Sequence, residues 1–204
     1  MCSEVYELSY GGYLYKIVLV GDGGVGKTTI RKAFSGIEFT GSYQMTIGAD
    51  FAMKTISVKN PVDKTKYTIS FQIWDLGGQP HFSEVRRVFY AGARGGLIIY
   101  DITDRDTLFN LPMCIKEIQK GVGDIPLVMV GNKIDLRGEM HHVTTDEGLS
   151  FRALIKKSYN APIAFIETSG KTGENVHKAF ELLALLIINN EQIHLLQSYI
   201  PNGI

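Results

Sequence analysis

The most constraining feature of the chain is a glycine-rich segment that joins an apolar run to a helical pattern. The run Tyr15–Val20 ends in four apolar residues without alternation, which favours a strand buried on both faces. Residues 21–28 follow at once and read GDGGVGKT, which matches the pattern G-x-x-x-x-G-K-[ST]. A helix is expected over Lys27–Ser35, with Gly36 as its C-terminal cap. This order of strand, loop and helix predicts a phosphate-binding loop.

The loop carries the groups that phosphate and magnesium binding require. Small residues let backbone N–H groups turn inward around phosphate oxygens, and the positive end of the helix dipole adds to the attraction. Lys27 is predicted to reach the β- and γ-phosphates, and the Thr28 hydroxyl to be a ligand for Mg²⁺. The alternative is a glycine-rich turn that binds nothing, although a chance match in a chain of this length is on the order of 1%. The loop residues predicted to bind nucleotide are Asp22, Gly23, Gly24, Val25, Gly26, Lys27, Thr28 and Thr29.

Short apolar runs and helical patterns alternate along the rest of the chain. Further strands are predicted at Phe51–Val58, Thr68–Trp74, Leu97–Tyr100, Leu127–Val130 and Ile163–Ile166, and further helices at Asp106–Gln119, Asp146–Lys157 and Glu174–Asn189. The polar residues 59–64 between the first two of these strands favour an antiparallel hairpin. The predicted fold is an α/β three-layer sandwich of the P-loop type. Its six-stranded sheet is mostly parallel, with one antiparallel edge strand and helices on both faces.

Composition limits the partners and the location that we expect. Twenty-one Lys and Arg balance twenty-one Asp and Glu among 204 residues, so no sequence-wide attraction to nucleic acid is expected. Cys2 and Cys114 fit a reducing compartment, and no run is long enough to span a bilayer. The ending Pro201–Ile204 offers no prenylation motif, so we expect no lipid anchor there. A cytoplasmic protein is predicted, with membrane contact at most through partners.

The chain is predicted to form one folded domain over residues 13–190, with an N-terminal extension at 1–12 and a tail at 191–204. The last helix is apolar nearly all round at Leu182–Ile188. We expect its extra leucines to pack under the N-terminal tyrosines Tyr6, Tyr10 and Tyr13, and a dimer face is the alternative.

Two later segments indicate which base the nucleotide carries. Residues 132–135 read NKID, residues 168–171 read TSGK, and each follows a predicted parallel strand, where open α/β sheets bind ligands. Guanine presents two adjacent donors that one carboxylate, Asp135, can accept, and adenine presents no such pair. The Asn132 amide and the backbone at Ser169–Gly170 can complete the ring edge, while two lysine stems pack on its faces. The residues predicted to contact the base are Asn132, Lys133, Asp135, Leu136, Ser169, Gly170 and Lys171.

The order of these motifs resembles that of the small GTPases of the Ras superfamily, over about residues 13–190. Residues 15–22, 46–51 and 100–104 are most similar to the Rab-like branch. Residues 74–79, WDLGGQ, instead resemble the D-x-G-G-Q form of Arf-like proteins. The resemblance implies GTP and GDP as ligands, Mg²⁺ as cofactor and slow hydrolysis of GTP. It also implies effector, exchange-factor and GTPase-activating proteins as partners.

The resemblance also implies a role for individual residues. Thr46 closes over Mg²⁺ and binds the γ-phosphate, Asp75 holds the metal through water, and the Gly78 N–H contacts the γ-phosphate. Gln79 orients the attacking water, so that the implied catalytic residues are Gln79, Lys27 and Thr46. The two aromatic residues implied to cover the nucleotide are Phe39, against the guanine, and Tyr43, over the phosphates.

One departure from the family pattern leaves an alternative function open. Pro80 follows Gln79 and disfavours the helical region for it, which can alter how the catalytic amide is held. A scaffold that binds guanine nucleotide without hydrolysing it is therefore the rival to a hydrolysing switch. A P-loop ATPase or kinase is a third candidate, which Asp135 disfavours.

Overall fold

The structure is a computed structural model that describes residues 7–8, 12–41, 45–78, 88–138 and 142–199, with backbone alone for 7–8 and 194–199. Its strands are β1 Glu7–Leu8, β2 Gly12–Val20, β3 Ala49–Lys59, β4 Lys66–Leu76, β5 Gly95–Asp101, β6 Leu127–Asn132 and β7 Ile163–Thr168. Its helices are α1 Lys27–Ser35, α2 Arg105–Phe109, α3 Leu111–Val122, α4 Thr145–Lys156 and α5 Val176–Tyr199. A 3₁₀ turn spans Ile134–Leu136.

The main path of the sheet has the order β3-β4-β2-β5-β6-β7, and β3 is its antiparallel edge strand. The other neighbours along this path are parallel. The predicted fold class is therefore confirmed. The sequence did not predict β1, which pairs antiparallel with the start of β2. A strand of two residues is too short to produce a periodic pattern.

The unbroken apolar run in β2 is explained by burial on both faces of the sheet. Tyr15, Ile17 and Leu19 point into one apolar cluster, and Val18 and Val20 point into another. The first cluster contains buried side chains of α1 and α5, and the second contains those of α2, α3 and α4. The sheet is thus the middle layer of three.

The predicted helix Asp106–Gln119 is wrong as a single element, because the structure divides it into α2 and α3 at Asn110. Pro112 lies in the first turn of α3, where its missing N–H costs nothing, whereas inside a continuous helix its ring would clash with the preceding turn. The side chain of Asp104 caps α2 by accepting from Asp106 N.

The last helix is longer than predicted and continues to Tyr199, across the proposed domain boundary at 190, which stays a prediction. Its leucines Leu182, Leu185 and Leu186 are partly buried and, like Tyr13, pack against the first apolar cluster. Tyr6 and Tyr10 lie outside the described residues, so the expected packing under the tyrosines stays a prediction. Beyond these leucines, Glu191 accepts from the Tyr15 hydroxyl at 2.8 Å and from Arg94 Nη2 at 2.5 Å. Polar contacts thus fix the helix to the amino-terminal end of the parallel strands. Among the described residues, no helix is both long enough and apolar enough to cross a bilayer.

The stacked pair Phe34–Phe180 gives a stability prediction. Their ring centroids lie 3.7 Å apart, and both side chains are fully buried between α1 and α5. We expect Phe180→Ala to lower the free energy of unfolding by about 3–5 kcal/mol through lost burial and a cavity. Chemical denaturation measures this, with Val62→Ala as control, since Val62 is 83% exposed. A loss as small as that of the control would contradict the described core.

Candidate functional site

A cavity of about 360 Å³ lies where loops leave the carboxyl ends of β2, β6 and β7. Most of the predicted nucleotide-binding residues line it: Gly23, Gly24, Gly26, Lys27, Thr28, Thr29, Phe39, Thr46, Gly78, Asn132, Lys133, Asp135, Leu136, Gly170 and Lys171. The structure therefore brings the phosphate loop and the proposed base-reading loops to one site, as topology predicts for a parallel sheet.

Sequence reasoning missed several residues that line the same cavity, namely Lys32, Ile37, Glu38, Thr40, Gly41 and Met45. All but Lys32 lie close to Phe39 or Thr46 in sequence, which is the signal that could have found them. Lys32 follows Thr28 by four residues on α1, and this spacing places both on one side of the helix.

Some predicted residues have side chains that do not line the cavity. Asp22 Oδ2 accepts from Asn110 Nδ2 at 2.8 Å, and the side chain of Val25 is buried in the apolar core. Neither residue is among those that line the cavity, so their predicted contacts with nucleotide stay predictions. Tyr43 and Gln79 lie outside the described residues, so their predicted roles stay predictions.

The phosphate loop has a backbone that only glycine adopts readily. Gly24 and Gly26 have φ angles of 81° and 96°, in the left-handed region. A Cβ on Gly26 would also collide with the amide of Asn132. Since Gly26 is the N-cap residue of α1, it has no side chain that could accept from the first N–H groups of the helix. The loop thus presents uncapped donors to the cavity.

The Lys27 ammonium is held inside the loop. Lys27 Nζ donates to the backbone carbonyls of Gly21, at 2.9 Å, and Asp22, at 2.7 Å. Its side chain is buried, so the positive charge is placed in a region with little water to screen it. An anion that enters the cavity meets this charge at close range.

Asn132, the last residue of β6, joins the phosphate loop to the end of β7 and the loop that follows it. Its Nδ2 donates to Val25 O at 2.8 Å, and its Oδ1 accepts from Thr168 Oγ1 at 3.1 Å and Gly170 N at 2.9 Å. The residue is only 2% exposed. Asn132 therefore holds the phosphate loop against the loop after β7, besides the base contact predicted for it.

The carboxylate proposed to read the base is positioned by the loop after β7. Ser169 Oγ donates to Asp135 Oδ1 at 2.6 Å, and Lys171 Nζ lies 3.7 Å from Asp135 Oδ2. Lys133 adopts a left-handed φ of 72°, and its Nζ lies 2.5 Å from the buried Asp101. These contacts bring one carboxylate and two lysine side chains together in the lining of the cavity.

The predicted metal ligands also come together. Thr28 Oγ1 lies 2.8 Å from Thr46 Oγ1 and donates to Asp75 Oδ2 at 2.5 Å. Asp75 is fully buried, and among the described residues its Oδ1 has no hydrogen-bond partner. Burial raises the pKa of Asp75 above its ordinary value, against the hydrogen bond from Thr28 and the charges of Lys27 and Arg31, which lower it.

This oxygen set fits Mg²⁺, which prefers hydroxyl and carboxylate oxygens and takes its remaining ligands from water and phosphate. The unpartnered Asp75 Oδ1 could accept from a metal-bound water. No cluster of three or more His, Cys, Asp or Glu occurs in the described parts of the chain, so an all-protein cage is not found there.

Two glycines that follow β4 pack closely, Gly77 against the segment that carries Thr46 and Gly78 against the phosphate loop. Gly77 N donates to Gly48 O at 2.8 Å, and a Cβ on Gly77 would lie 2.7 Å from Thr46 O. A Cβ on Gly78 would lie 2.5 Å from Gly23 N. Side chains at either position would push apart the segments that carry the predicted γ-phosphate contacts.

The sequence profile of the Ras family matches residues 16–189. The chain belongs to the Ras family. It is 33% identical over 193 residues to human Ras-related protein Rab-19, across 94% of this chain and 83% of that protein. It is 37% identical over 172 residues to Rab2BV of Beta vulgaris, across 84% and 74%, and 38% over 170 residues to Rab-11A of Dictyostelium discoideum, across 83% and 73%.

The family assignment confirms the predicted resemblance and its Rab-like branch, and it makes this chain a GTPase. The predicted likeness of residues 74–79 to the Arf-like form stays a prediction. In this Rab-like GTPase the family match ends at residue 189, while α5 continues to Tyr199.

The bracing role of Asn132 in this GTPase leads to a second prediction. We expect Asn132→Ala to lower the free energy of unfolding by about 2–3 kcal/mol even without nucleotide, since buried groups at Val25 and Gly170 lose their partner. Denaturation in EDTA after removal of nucleotide measures the effect. Asn160→Ala is the matched control, because Asn160 is exposed. Equal losses for the two variants would show that Asn132 does not brace the site.

Proposed function

We propose that this GTPase is a molecular switch that binds GTP or GDP with Mg²⁺ in the described cavity, hydrolyses GTP and binds effectors in the GTP state. The observation that carries the proposal is the set of groups that line one cavity. Lys27 and glycines of the phosphate loop line it, and so does Asp135. A ligand with an anionic tail and two adjacent donors on its base matches both kinds of group.

Base recognition is assigned to Asp135. Its carboxylate is held by Ser169 and Lys171, so little side-chain freedom is lost when it accepts from guanine. The stems of Lys133 and Lys171 are suited to cover the faces of the ring. Phe39, which lines the same cavity, is proposed to pack against the guanine.

Phosphate and metal binding are assigned to residues 22–29 together with Thr46, Asp75 and Gly78. Lys27 contacts the β- and γ-phosphates, Thr28 and Thr46 are metal ligands, and Asp75 holds a metal-bound water. Bound Mg²⁺ supplies positive charge that offsets the charge on the phosphate oxygens. Gln79 orients the attacking water, so that positioning provides most of the catalysis.

The switch itself is assigned to the segments that carry Thr46 and Gly78. The hydrogen bond from Gly77 N to Gly48 O links these segments, so a change in one is passed to the other. Loss of the γ-phosphate would remove an anchor from both. Beside them, Phe51 packs on Trp74 and Trp74 on Phe89. Phe51 is 46% exposed, which supports this aromatic surface as the effector-binding face.

The proposal extends to partners and location. Exchange factors and GTPase-activating proteins are expected to act on the segments around Thr46 and Gly78, because these segments contact the phosphate loop. The protein is proposed to act in the cytoplasm and to contact membranes through its partners. The rival function is the non-hydrolysing scaffold, which Pro80 favours.

A substitution at Asp135 tests base recognition. Asp135→Asn places a donor opposite the guanine amine, so GDP affinity should fall by about 100-fold or more. Affinity for xanthosine diphosphate, which has a carbonyl there, should rise. Calorimetric titration of both nucleotides measures this, with Asp124→Asn as control for the loss of a carboxylate outside the cavity. Unchanged GDP affinity would remove Asp135 from base reading.

A single-turnover assay separates the switch from the scaffold. Wild-type protein loaded with GTP should convert it slowly to GDP once Mg²⁺ is added. Gln79→Leu should slow this step by about tenfold to a hundredfold, because the attacking water loses its orientation. Quenched samples analysed by chromatography give the rates. Persistent GTP in the wild type would support the scaffold, and equal rates in both proteins would exclude Gln79 from the mechanism.

A further inference from the structure

A buried arginine lies between two carboxylates at the edge of the proposed metal site. Arg31, on α1, places its Nη2 at 2.5 Å from Asp50 Oδ2 and its Nε at 3.6 Å from Asp75 Oδ2. The Arg31 side chain is only 8% exposed, whereas that of Asp50 is 52% exposed. Among the described residues, Arg31 Nε has no hydrogen-bond partner.

The register of the sheet explains why a cation is needed there. Asp50 and Asp75 are directly paired in the antiparallel ladder of β3 and β4. Like charges at such positions repel, and burial of Asp75 makes its uncompensated charge costly. The guanidinium of Arg31 reduces both the repulsion between the two carboxylates and the cost of burying the charge of Asp75. Lys27, the other cation that acts on Asp75, is engaged by the carbonyls of the phosphate loop.

We propose that Arg31 is the resident counter-ion of Asp75 and competes with Mg²⁺ for the negative charge of the Asp75 carboxylate. Asp50, which also pairs with Arg31, sets the strength of that competition. The inference rests on the metal site assigned above. Arg31 stabilises the metal-free form and lowers the affinity for Mg²⁺, so that release of the metal costs less. Arg31 is a positioning residue, since it acts through Asp75 and not on the nucleotide.

The sign of the effect distinguishes this role from a structural one. If Arg31 only held the Asp75 side chain in place, its loss would weaken Mg²⁺ binding. If it competes for charge, its loss strengthens Mg²⁺ binding while it destabilises the metal-free protein. Asp50→Asn should do the opposite of Arg31→Met, because one negative charge near the metal is removed and Arg31 is left to Asp75 alone.

The experiment measures dissociation of a fluorescent GDP analogue against the concentration of free Mg²⁺. Metal and nucleotide that share contacts stabilise each other, so Mg²⁺ should slow dissociation, and the half-effective concentration reports metal affinity. We expect Arg31→Met to lower that concentration by about tenfold and Asp50→Asn to raise it by about threefold. Arg31→Lys, which keeps the charge, should stay within about twofold of wild type.

The matched control is Arg94→Met. Arg94 also makes a 2.5 Å ion pair with a carboxylate, Glu191, but directly precedes β5, at the opposite end of the strands from the cavity. The Arg94→Met substitution should leave the Mg²⁺ dependence of nucleotide dissociation unchanged. The thermal midpoint of Arg31→Met should fall in EDTA and recover with Mg²⁺ and GDP, so the variant is prepared with both present. Asp50→Asn, at an exposed side chain, tests the inference even if Arg31→Met does not fold.

An increased or unchanged half-effective concentration in Arg31→Met would overturn the inference, and so would shifts of Arg31→Met and Asp50→Asn in the same direction. If Arg31→Met does not fold, a lowered or unchanged half-effective Mg²⁺ concentration in Asp50→Asn would overturn the inference. A wild type that shows no response to Mg²⁺ would contradict the proposed metal site as well. If the wild type responds to Mg²⁺ but Arg31→Met and Asp50→Asn do not shift in opposite directions, the role of Arg31 is contradicted and the proposed metal site is not.

Discussion

The buried side chain of Asn132 holds together loops that are distant in sequence, since its bond to Val25 O spans 107 positions. Each of these loops follows a parallel strand, so the sheet brings them to one edge but does not fix their spacing. Asn132 fixes it through a donor and an acceptor on one rigid amide, and Gly26 leaves the space that this amide fills. This buried side chain therefore helps to set the distance between the phosphate loop and the loop after β7.

The chain has no formal net charge, but several of its basic side chains line one cavity. The chain has equal numbers of acidic and basic residues, yet Lys27, Lys32, Lys133 and Lys171 all line the cavity. Asp75 is fully buried, and the charges of Lys27 and Arg31 act on its carboxylate. These two cations reduce the cost of burying that charge within the protein. The proposed nucleotide and metal site thus shares its charges with the interior of the fold.

The fold and much of the candidate site could be predicted from the sequence, because both depend on local patterns. Apolar runs such as the one in β2 identify buried strands, and the glycine and lysine spacing of the phosphate loop follows from its chemistry. The break at Pro112 could also have been predicted, since proline favours the first turn of a helix. The ion pairs of Arg31 with Asp50 and of Lys133 with Asp101 could not, because they join side chains that only tertiary packing brings together.

The most direct test of the account is to identify what the protein itself carries. The purified protein is denatured after isolation in buffer with Mg²⁺, and the released small molecules are separated by chromatography. The account predicts guanine nucleotide, GDP or GTP, in an amount close to that of the protein. Release of adenine nucleotide, or of none from a protein that also fails to take up added GDP, would contradict the assignment of the cavity.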